Sequence, residues 1–227
     1  LLNTLTYDRT YIIDLTGRTP EKIAAAMPKD GRRGVKRAER VAKEAGVVIK
    51  DETGMDRATF DEVYRVLEET SERDGFTPHS ADVYWTMLTT LGEQARMYVA
   101  RLDGRPVAWV LVVVNGISAV AYYGASTTAD RATRAAEATD WYAACDLAAK
   151  GYKGYDFMGA GSTRVPELYS VGMYKKRFAQ HPTEVDGAWD VPVQRPVFEA
   201  LVAAKKAKHL VRKATVVAAK ASEAIKR

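Results

Sequence analysis

The sequence is poor in the residues that build disulfides and metal sites. Its 227 residues include one cysteine, Cys145, and three histidines, His79, His181 and His209. A single cysteine cannot form an internal disulfide, and neither a Cys-x-x-Cys pair nor a zinc-ligand spacing occurs. The sequence therefore excludes a disulfide scaffold and a zinc module, predicts no metal site, and favours a reducing, cytoplasmic setting.

Long apolar runs and common catalytic motifs are also missing. The longest apolar run, Pro106 to Val114, is far shorter than the roughly 20 residues of a membrane helix. The amino terminus has no basic-then-apolar signal pattern. No GxSxG, HExxH, Walker or GxGxxG motif occurs, so generic motifs indicate no nucleophile, metal or cofactor.

Positive charge is concentrated in two stretches of the chain. The formal charge of the whole chain is +5, whereas residues 205–227 hold eight Lys/Arg against one Glu. A second stretch, residues 29–50, holds eight Lys/Arg against three acids. Such stretches are either solvated helix faces or surfaces that bind a polyanion, and charge alone leaves both interpretations open.

Apolar periodicity predicts helices around a central antiparallel sheet. A strand is predicted over residues 10–16, and three further strands are separated by Asp103-Gly104 and Asn115-Gly116. These dipeptides are typical of tight hairpins because both central positions need positive φ. Helices are predicted over residues 20–27, 31–45, 56–74, 80–91 and 130–150, with a strand over 154–158 and a short helix near 167–178.

This order of elements predicts an α/β domain of the acetyltransferase (GNAT-like) kind. A mixed, mostly antiparallel sheet is flanked by helices, because the helix after the meander must cover the sheet that the meander begins. A basic helical segment follows it. An ordinary acetyltransferase has a glycine-rich loop before that helix, whose backbone amides bind the pyrophosphate of coenzyme A. Residues 127–134 contain no glycine, which disfavours acetyl-CoA binding.

Seven short segments occur in the order and spacing of one family. Several agree with its patterns R-x-N-I-R-x-A, R-x-G-F, Y-G-A-S, Y-D-F, F-K-x-x-F and W-D-L-P-V. The segments are Thr10–Thr16, Arg32–Glu39, Glu69–Phe76, Tyr122–Ser126, Gly154–Phe157, Tyr174–Phe178 and Trp189–Val193. No one segment is specific alone. Seven in register over residues 10–193 are specific, and the chain resembles the FemABX family.

The resemblance implies a tRNA-dependent aminoacyltransferase. Such an enzyme moves an amino acid from aminoacyl-tRNA onto an amine of a peptidoglycan stem peptide, on a UDP-linked or lipid-linked precursor, without a metal or coenzyme. An amine attacks an activated ester, so the protein has to position two large substrates and stabilise the tetrahedral oxyanion. The amino acid that is transferred is not readable from the sequence.

The resemblance also assigns candidate site residues. Lys175 matches the lysine of F-K-x-x-F and would stabilise the oxyanion, with Tyr174 as the aromatic residue before it. Ser71 and Arg73 match positions that bind the precursor diphosphate. Arg73-Asp74-Gly75 is equally well explained as an ordinary helix end, in which glycine supplies a left-handed cap.

Other residues in the matching segments are also candidate site residues. Tyr122 or Tyr123 would contact the sugar-peptide region, one of the two facing in and the other out. Arg32 and Lys36 are possible phosphate contacts, although Gly34 stands where the family has asparagine. Asp156 either orients a basic side chain, acts as a base or is structural. Cys145 lies among alanines in a predicted helix and is expected in the core.

The resemblance starts where the second of two tandem GNAT-like domains would start. It implies a GNAT-like domain over residues 1–193 and a basic helical segment over residues 194–227. That segment is expected to pack on a first domain that this sequence lacks. It is also open to contact with tRNA or with the anionic inner surface of the membrane.

Three other functions remain open from the sequence. An aminoacyltransferase of a natural-product pathway would use the same chemistry on a small acceptor. An acetyl-CoA-dependent N-acetyltransferase would share the fold and is disfavoured by the absent glycine loop. A non-enzymatic module would use the basic stretches to bind RNA or a membrane, with an affinity that falls steeply with salt.

Overall fold

The computed structural model describes residues 7–186 and 190–208. The chain divides into two compact units, Asp8–Val185 and the remainder. In the second unit, residues 195–208 are helical. Trp189, at the start of one family segment, and residues 209–227 of the predicted basic segment lie outside the described residues. No helix in the described part of the chain has both the length and the apolarity required to cross a membrane.

In the described residues, seven strands form one sheet in the order β2-β3-β4-β5-β6-β1-β7. The strands are β1 Arg9–Asp14, β2 Val48–Asp51, β3 Ala95–Leu102, β4 Arg105–Asn115, β5 Ser118–Ser126, β6 Gly154–Gly159 and β7 Thr183–Glu184. The β5–β6 pair is parallel, and the other pairs are antiparallel. The predicted mixed, mostly antiparallel GNAT-like sheet is confirmed.

Six α-helices of the first unit cover both faces of this sheet. They are α1 Pro20–Ala26, α2 Lys29–Glu44, α3 Arg57–Asp74, α4 Ala81–Leu91, α5 Ala135–Ala149 and α6 Tyr169–Lys175. Ile23, Val35 and Trp141 of α1, α2 and α5 belong to one core cluster. Phe60 and Tyr84 of α3 and α4 belong to another. The sheet therefore has a hydrophobic core on each side, and its central strands are buried on both faces.

The ends of α3 show why local sequence signals predicted the helices well. Asp56 is the N-cap, and its carboxylate accepts a hydrogen bond from Thr59 N at 2.8 Å. Gly75 ends the helix in the left-handed conformation, with φ of 73°. Helix α3 therefore begins and ends within one residue of its predicted bounds.

The two hairpin turns differ from each other. In the first, Asp103 and Gly104 both have positive φ, at 51° and 81°, as predicted. In the second, Asn115 pairs with Ser118, so the two central residues are Gly116 and Ile117. Of these two, only Gly116 has positive φ, at 58°. The prediction of Asn115-Gly116 as the turn centre was therefore wrong by one residue, and asparagine ends the strand.

Other element bounds also differ from the predictions. Helix α5 begins at Ala135 instead of Asp130, because a 3-10 turn at Arg131–Thr133 and a left-handed Arg134, with φ of 58°, precede it. A second 3-10 turn, Pro166–Leu168, precedes α6. Strands β2 and β7 were not predicted. They are four and two residues long at the sheet edges, too short to give a clear alternating pattern.

Helix α2 approaches the chain that follows α6 unusually closely. A Cβ atom placed on Gly31 would lie 1.6 Å from the carbonyl oxygen of Arg177. Only glycine permits this contact, because any side chain would overlap the backbone itself. The contact holds the basic helix α2 against the segment that carries Lys175.

We expect Gly31→Ala to destabilise the protein by about 3 kcal/mol, because the new methyl group overlaps backbone atoms. Without that overlap, Gly→Ala inside a helix would stabilise the protein by up to about 1 kcal/mol, so the sign of the change is diagnostic. Gly54→Ala is the control, since a Cβ there meets nothing within 4 Å. Denaturant unfolding measures both. A Gly31→Ala protein as stable as wild type would contradict the close contact.

Candidate functional site

The sheet opens between the two parallel strands. Strands β5 and β6 are paired from Ser118 with Gly154 to Val120 with Asp156. Beyond these three pairs β5 continues on β4 and β6 continues on β1. Two parallel strands that separate leave a crevice at their carboxyl ends, which is a common place for ligands in α/β folds.

Lys175 lies at the carboxyl end of β6. It is the last residue of α6, and its Nζ donates a hydrogen bond to the carbonyl oxygen of Gly159 at 2.7 Å. Burial lowers the pKa of Lys175 to about 8, against the opposing effect of the carboxylates of Asp140 and Asp156. Lys175 is therefore a partly buried amine whose charge changes close to neutral pH.

Tyr174 belongs to a buried polar network with α5. Its hydroxyl donates a hydrogen bond to Oδ2 of Asp140, and the hydroxyl of Tyr155 on β6 donates to Oδ1 at 3.3 Å. Burial raises the pKa of Asp140 to about 6, although the two tyrosines and Lys175 act in the opposite direction. Burial also raises the pKa of both tyrosines well above the ordinary value. Both hydroxyls therefore remain protonated donors.

Glu137 lies one turn before Asp140 on the same helix. It is 6% exposed, and its Oε2 forms an ion pair with Arg134. Its Oε1 has no hydrogen-bond partner among the described residues and lies 4.0 Å from Nη1 of Arg177. Helix α5 therefore directs two carboxylates, three residues apart, toward the segment of Tyr174 to Arg177.

Asp156 occupies a strained turn at the end of β6. Its Oδ1 accepts a hydrogen bond from Met158 N at 2.6 Å and another from the hydroxyl of the fully buried Thr10. Met158 has a φ of 60°, which is rare for a residue with a side chain. Asp156 thus stabilises the backbone just before Gly159, while its charge also acts on Lys175.

Ser71 and Arg73 lie at the carboxyl end of β5. Nη1 of Arg73 donates to the carbonyl oxygen of Ser126 at 2.8 Å, and the rest of its guanidinium pairs with Asp74. The hydroxyl of Ser71 donates to Glu68 O at 2.8 Å, and the residue is buried. Arg73 therefore lies at the carboxyl end of β5 and Lys175 at the carboxyl end of β6, the two parallel strands that separate.

Tyr122 and Tyr123 lie on the part of β5 that has left β6. Tyr123 packs edge-on against Tyr84, with ring centroids 4.7 Å apart. Tyr122 is the extra residue of a bulge, because Leu111 pairs with Tyr123 and Val112 with Ala121. It is 42% exposed. One tyrosine is therefore packed and the other faces solvent, as expected for adjacent strand residues.

Arg32 and Lys36 lie on the outer side of α2 and are exposed. Gly34 between them faces inward, and a Cβ there would lie 2.7 Å from Oε1 of Glu137. The tip of the Glu137 side chain thus occupies the space beside Gly34. The structure brings Tyr174, Lys175 and Asp156 together. Ser71 and Arg73 lie on α3, and the tyrosine pair lies on β5. Arg32 and Lys36 lie apart from both groups on α2.

The sequence patterns did not identify Glu137 and Asp140 as site residues. Their signal is a pair of acids spaced three residues apart in an alanine-rich helix. Such acids usually face solvent, so the spacing alone gives no reason to expect burial. Cys145 on the same helix is partly buried beside the core, and burial raises the pKa of its thiol to about 12. It is therefore unreactive at neutral pH.

The segment before α5 does not fit the pyrophosphate of coenzyme A. Several of its backbone N–H groups are already bonded within the protein, including Thr128 N to Glu69 Oε1 at 2.6 Å and Thr133 N to Asp130 O at 2.9 Å. Arg134 N donates to Arg131 O at 3.1 Å. In addition, the carboxylate of Glu137 is buried in the first turn, where it would repel an anion. Among the described residues, no cluster of His, Cys, Asp and Glu could hold a metal ion.

Comparison with known proteins agrees with this fold. The family model for the acetyltransferase (GNAT) domain matches residues 29–176. No curated protein matches the chain.

Among solved structures, FemX superposes with a TM-score of 0.72 at 15% identity, over 86% of this chain and 64% of FemX. L-PGS from Bacillus licheniformis has a TM-score of 0.59 at 14% identity, over 87% of this chain and 64% of that one. The C-terminal domain of a putative lysylphosphatidylglycerol synthetase from Agrobacterium fabrum has a TM-score of 0.55 at 14% identity, with coverages of 77% and 57%. The chain thus spans less than two thirds of each of these structures. The predicted FemABX-like architecture is confirmed at the level of the fold.

The raised pKa of Asp140 gives a prediction for stability. A carboxyl whose folded-state pKa lies above its unfolded value stabilises the protein below the unfolded pKa, and this stabilisation is lost as pH rises through the folded pKa. From pH 4 to pH 7, wild type should therefore lose on the order of 2 kcal/mol of unfolding free energy relative to Asp140→Asn.

Urea unfolding at several pH values measures this difference. Asp103→Asn, in the exposed hairpin turn, is the control and should follow wild type throughout. A constant difference between wild type and Asp140→Asn across this range would show that Asp140 does not have a raised pKa.

Proposed function

The chain belongs to the acetyltransferase (GNAT) domain family, and from this premise we propose that it transfers an amino acid from aminoacyl-tRNA to an amine of a peptidoglycan-precursor stem peptide. The observation that carries the proposal is the Lys175 amine at the opening between β5 and β6. The same position matches the F-K-x-x-F lysine in sequence. The poor fit of coenzyme A to the segment before α5 also favours an acyl donor other than acetyl-CoA.

The proposed reaction needs no cofactor. The free amine of the acceptor attacks the ester carbonyl that links the amino acid to the terminal ribose of tRNA, and a C–N bond forms. The tetrahedral intermediate carries negative charge on the former carbonyl oxygen. When it collapses, the C–O bond to ribose breaks, the ribose oxygen gains a proton, and the nitrogen loses one. The products are an amide and uncharged tRNA.

Lys175 stabilises the intermediate in this proposal. An ammonium held beside a carbonyl oxygen, as Nζ is beside Gly159 O, is in a fixed position before the reaction starts. A fixed charge in a partly buried site stabilises an oxyanion more than a mobile charge in water does. Because the pKa of Lys175 is about 8, this stabilisation weakens above that pH.

The acceptor side of the site is formed by β5 and its neighbours in this proposal. Arg73 binds the diphosphate of a UDP-linked or lipid-linked precursor, with Ser71 supporting the helix end. Tyr122 and Tyr123 contact the sugar-peptide region, and Tyr122 is exposed enough to do so directly. Arg32 and Lys36 are candidates for outer phosphate contacts from α2.

Further parts of the machinery lie elsewhere in this proposal. The chain spans 64% of FemX. We expect residues 1–193 to act as the second of two GNAT-like domains. Residues 194–227 would then pack on the first domain and could also contact the inner membrane surface. A cytoplasmic location follows from the use of aminoacyl-tRNA.

The decisive experiment incubates the chain with charged tRNAs and a peptidoglycan precursor, both alone and joined to an amino-terminal GNAT-like domain. Mass spectrometry should find the precursor heavier by one amino-acid residue. Parallel reactions supply a small amine acceptor or acetyl-CoA instead. Acetylation of an acceptor, with no aminoacyl transfer in any arm, would overturn the proposal in favour of an N-acetyltransferase.

Replacing Lys175 tests the catalytic assignment. Lys175→Ala should reduce transfer by about 10²- to 10³-fold, because the oxyanion loses its ammonium partner, while precursor affinity stays within about twofold of wild type. The rate of the wild type should fall above pH 8. Lys176→Ala, an exposed neighbour, should retain full activity. Wild-type rates in Lys175→Ala would refute the role of this lysine.

Replacing Arg73 tests the acceptor site. Arg73→Ala should weaken binding of a diphosphate-containing precursor by about tenfold or more, since a charge-assisted contact is lost. Arg65→Ala, an exposed arginine on the same helix, is the matched control and should bind like wild type. Isothermal titration calorimetry with the precursor measures both. Equal affinities for the two variants would rule out a diphosphate contact at Arg73.

A further inference from the structure

Helix α5 holds both ends of the segment that carries Lys175. Asp140 accepts a hydrogen bond from Tyr174, the residue before Lys175. Glu137 faces Arg177, two residues after it. The buried Phe178 packs on Phe157 of β6 with ring centroids 4.6 Å apart. Side chains on both sides of Lys175 are therefore fixed, while Lys175 itself contacts Gly159 through one hydrogen bond.

Asp140 is the more tightly bonded of the two α5 carboxylates. Each of its oxygens accepts a hydrogen bond from a tyrosine, Oδ2 from Tyr174 and Oδ1 from Tyr155. These tyrosines come from different elements, α6 and β6, so Asp140 ties both to α5. Glu137, in contrast, has one oxygen without a hydrogen bond among the described residues.

The charges around Lys175 come from three elements. Helix α5 contributes Asp140 and Glu137, and β6 contributes Asp156. The segment of Lys175 itself contributes Arg177, which is half exposed and faces Glu137. The negative groups that act on Lys175 are thus Asp140 and Asp156, and Asp156 is already bonded to Thr10 and Met158.

We propose that Asp140 is a positioning residue for Lys175: it fixes the end of α6 through Tyr174 and supplies the negative charge that keeps the neighbouring amine protonated. Its place in a reaction rests on the proposed function, but its effect on Lys175 does not. Burial lowers the pKa of this lysine and so favours loss of its proton, and a neutral amine cannot stabilise an oxyanion. The Asp140 carboxylate opposes that loss through its charge. Its oxygens are bonded to the two tyrosines, so Nζ of Lys175 keeps its hydrogen bond to Gly159 O.

The test follows the titration of Lys175 directly. Trace labelling with acetic anhydride between pH 6 and pH 10, quantified by mass spectrometry, gives the pH at which each lysine becomes reactive, and Lys176 serves as an internal reference. In Asp140→Asn, the midpoint of Lys175 should move to a pH lower by about 1, because the ammonium has lost an opposite charge. Asp146→Asn, on the same helix but bonded to Tyr98, should leave the midpoint unchanged.

Two more variants complete the test. Tyr174→Phe removes one hydrogen bond from Asp140, so the midpoint of Lys175 should move in the same direction by a smaller amount. Asp140→Glu keeps the charge and should restore much of the wild-type midpoint. Should Asp140→Asn fail to fold, Tyr174→Phe carries the comparison. An unchanged or higher midpoint in the folded variants would overturn the proposal.

Labelling needs neither tRNA nor acceptor, so its outcome is independent of the proposed function. Suppose that Asp140→Asn lowers the labelling midpoint of Lys175 but the protein transfers no amino acid. The positioning role of Asp140 would then stand, and the proposed aminoacyltransferase activity would be refuted. In an active protein, Asp140→Asn should lower kcat about tenfold at pH 8.5 and leave KM for the precursor within about twofold, because the fraction of charged Lys175 falls by this factor. A change confined to KM would contradict the proposal.

Discussion

The hydrogen bonding of β5 and β6 ends after three residue pairs, and the rest of the site depends on that separation. Each strand keeps a second neighbour, β4 or β1, so the sheet stays intact while its centre opens. Beyond the last pair, the two strands continue toward their carboxyl ends beside different neighbours, which is the arrangement in which α/β folds commonly bind ligands. Lys175 is attached to one end through Gly159, and Arg73 to the other through Ser126. In the proposed function, the donor and the acceptor meet between these two strand ends.

Burial of charge is the second constraint on this region. Lys175 and Asp140 are opposite charges that both lose water, and each favours the charged form of the other. Such a pair contributes little net stability, since desolvation offsets the attraction. Tyr155 and Tyr174 satisfy the oxygens of Asp140, which makes the burial tolerable.

Sequence patterns were informative where the cause of a structure is local. The start of α3 near Asp56, the left-handed Gly75 and the Asp103-Gly104 turn are each determined by neighbouring residues, and each was predicted. Side-chain partners more than 30 residues apart could not be predicted in this way. The bond of Tyr174 to Asp140 joins such residues, and the closeness of Gly31 to Arg177 joins even more distant ones. Family resemblance located Lys175, but only the folded chain identified the residues that hold it.

The packing of Gly34 against Glu137 couples the residues that can be exchanged at these two positions between proteins of this fold. The two positions compete for one volume, because a Cβ on residue 34 would lie 2.7 Å from a carboxylate oxygen of residue 137. The two positions should therefore be coupled, because a larger residue at position 34 requires the tip of the Glu137 side chain to move. Introducing the family's asparagine at position 34 alone would displace Glu137 and, through Arg177, disturb the segment that carries Lys175.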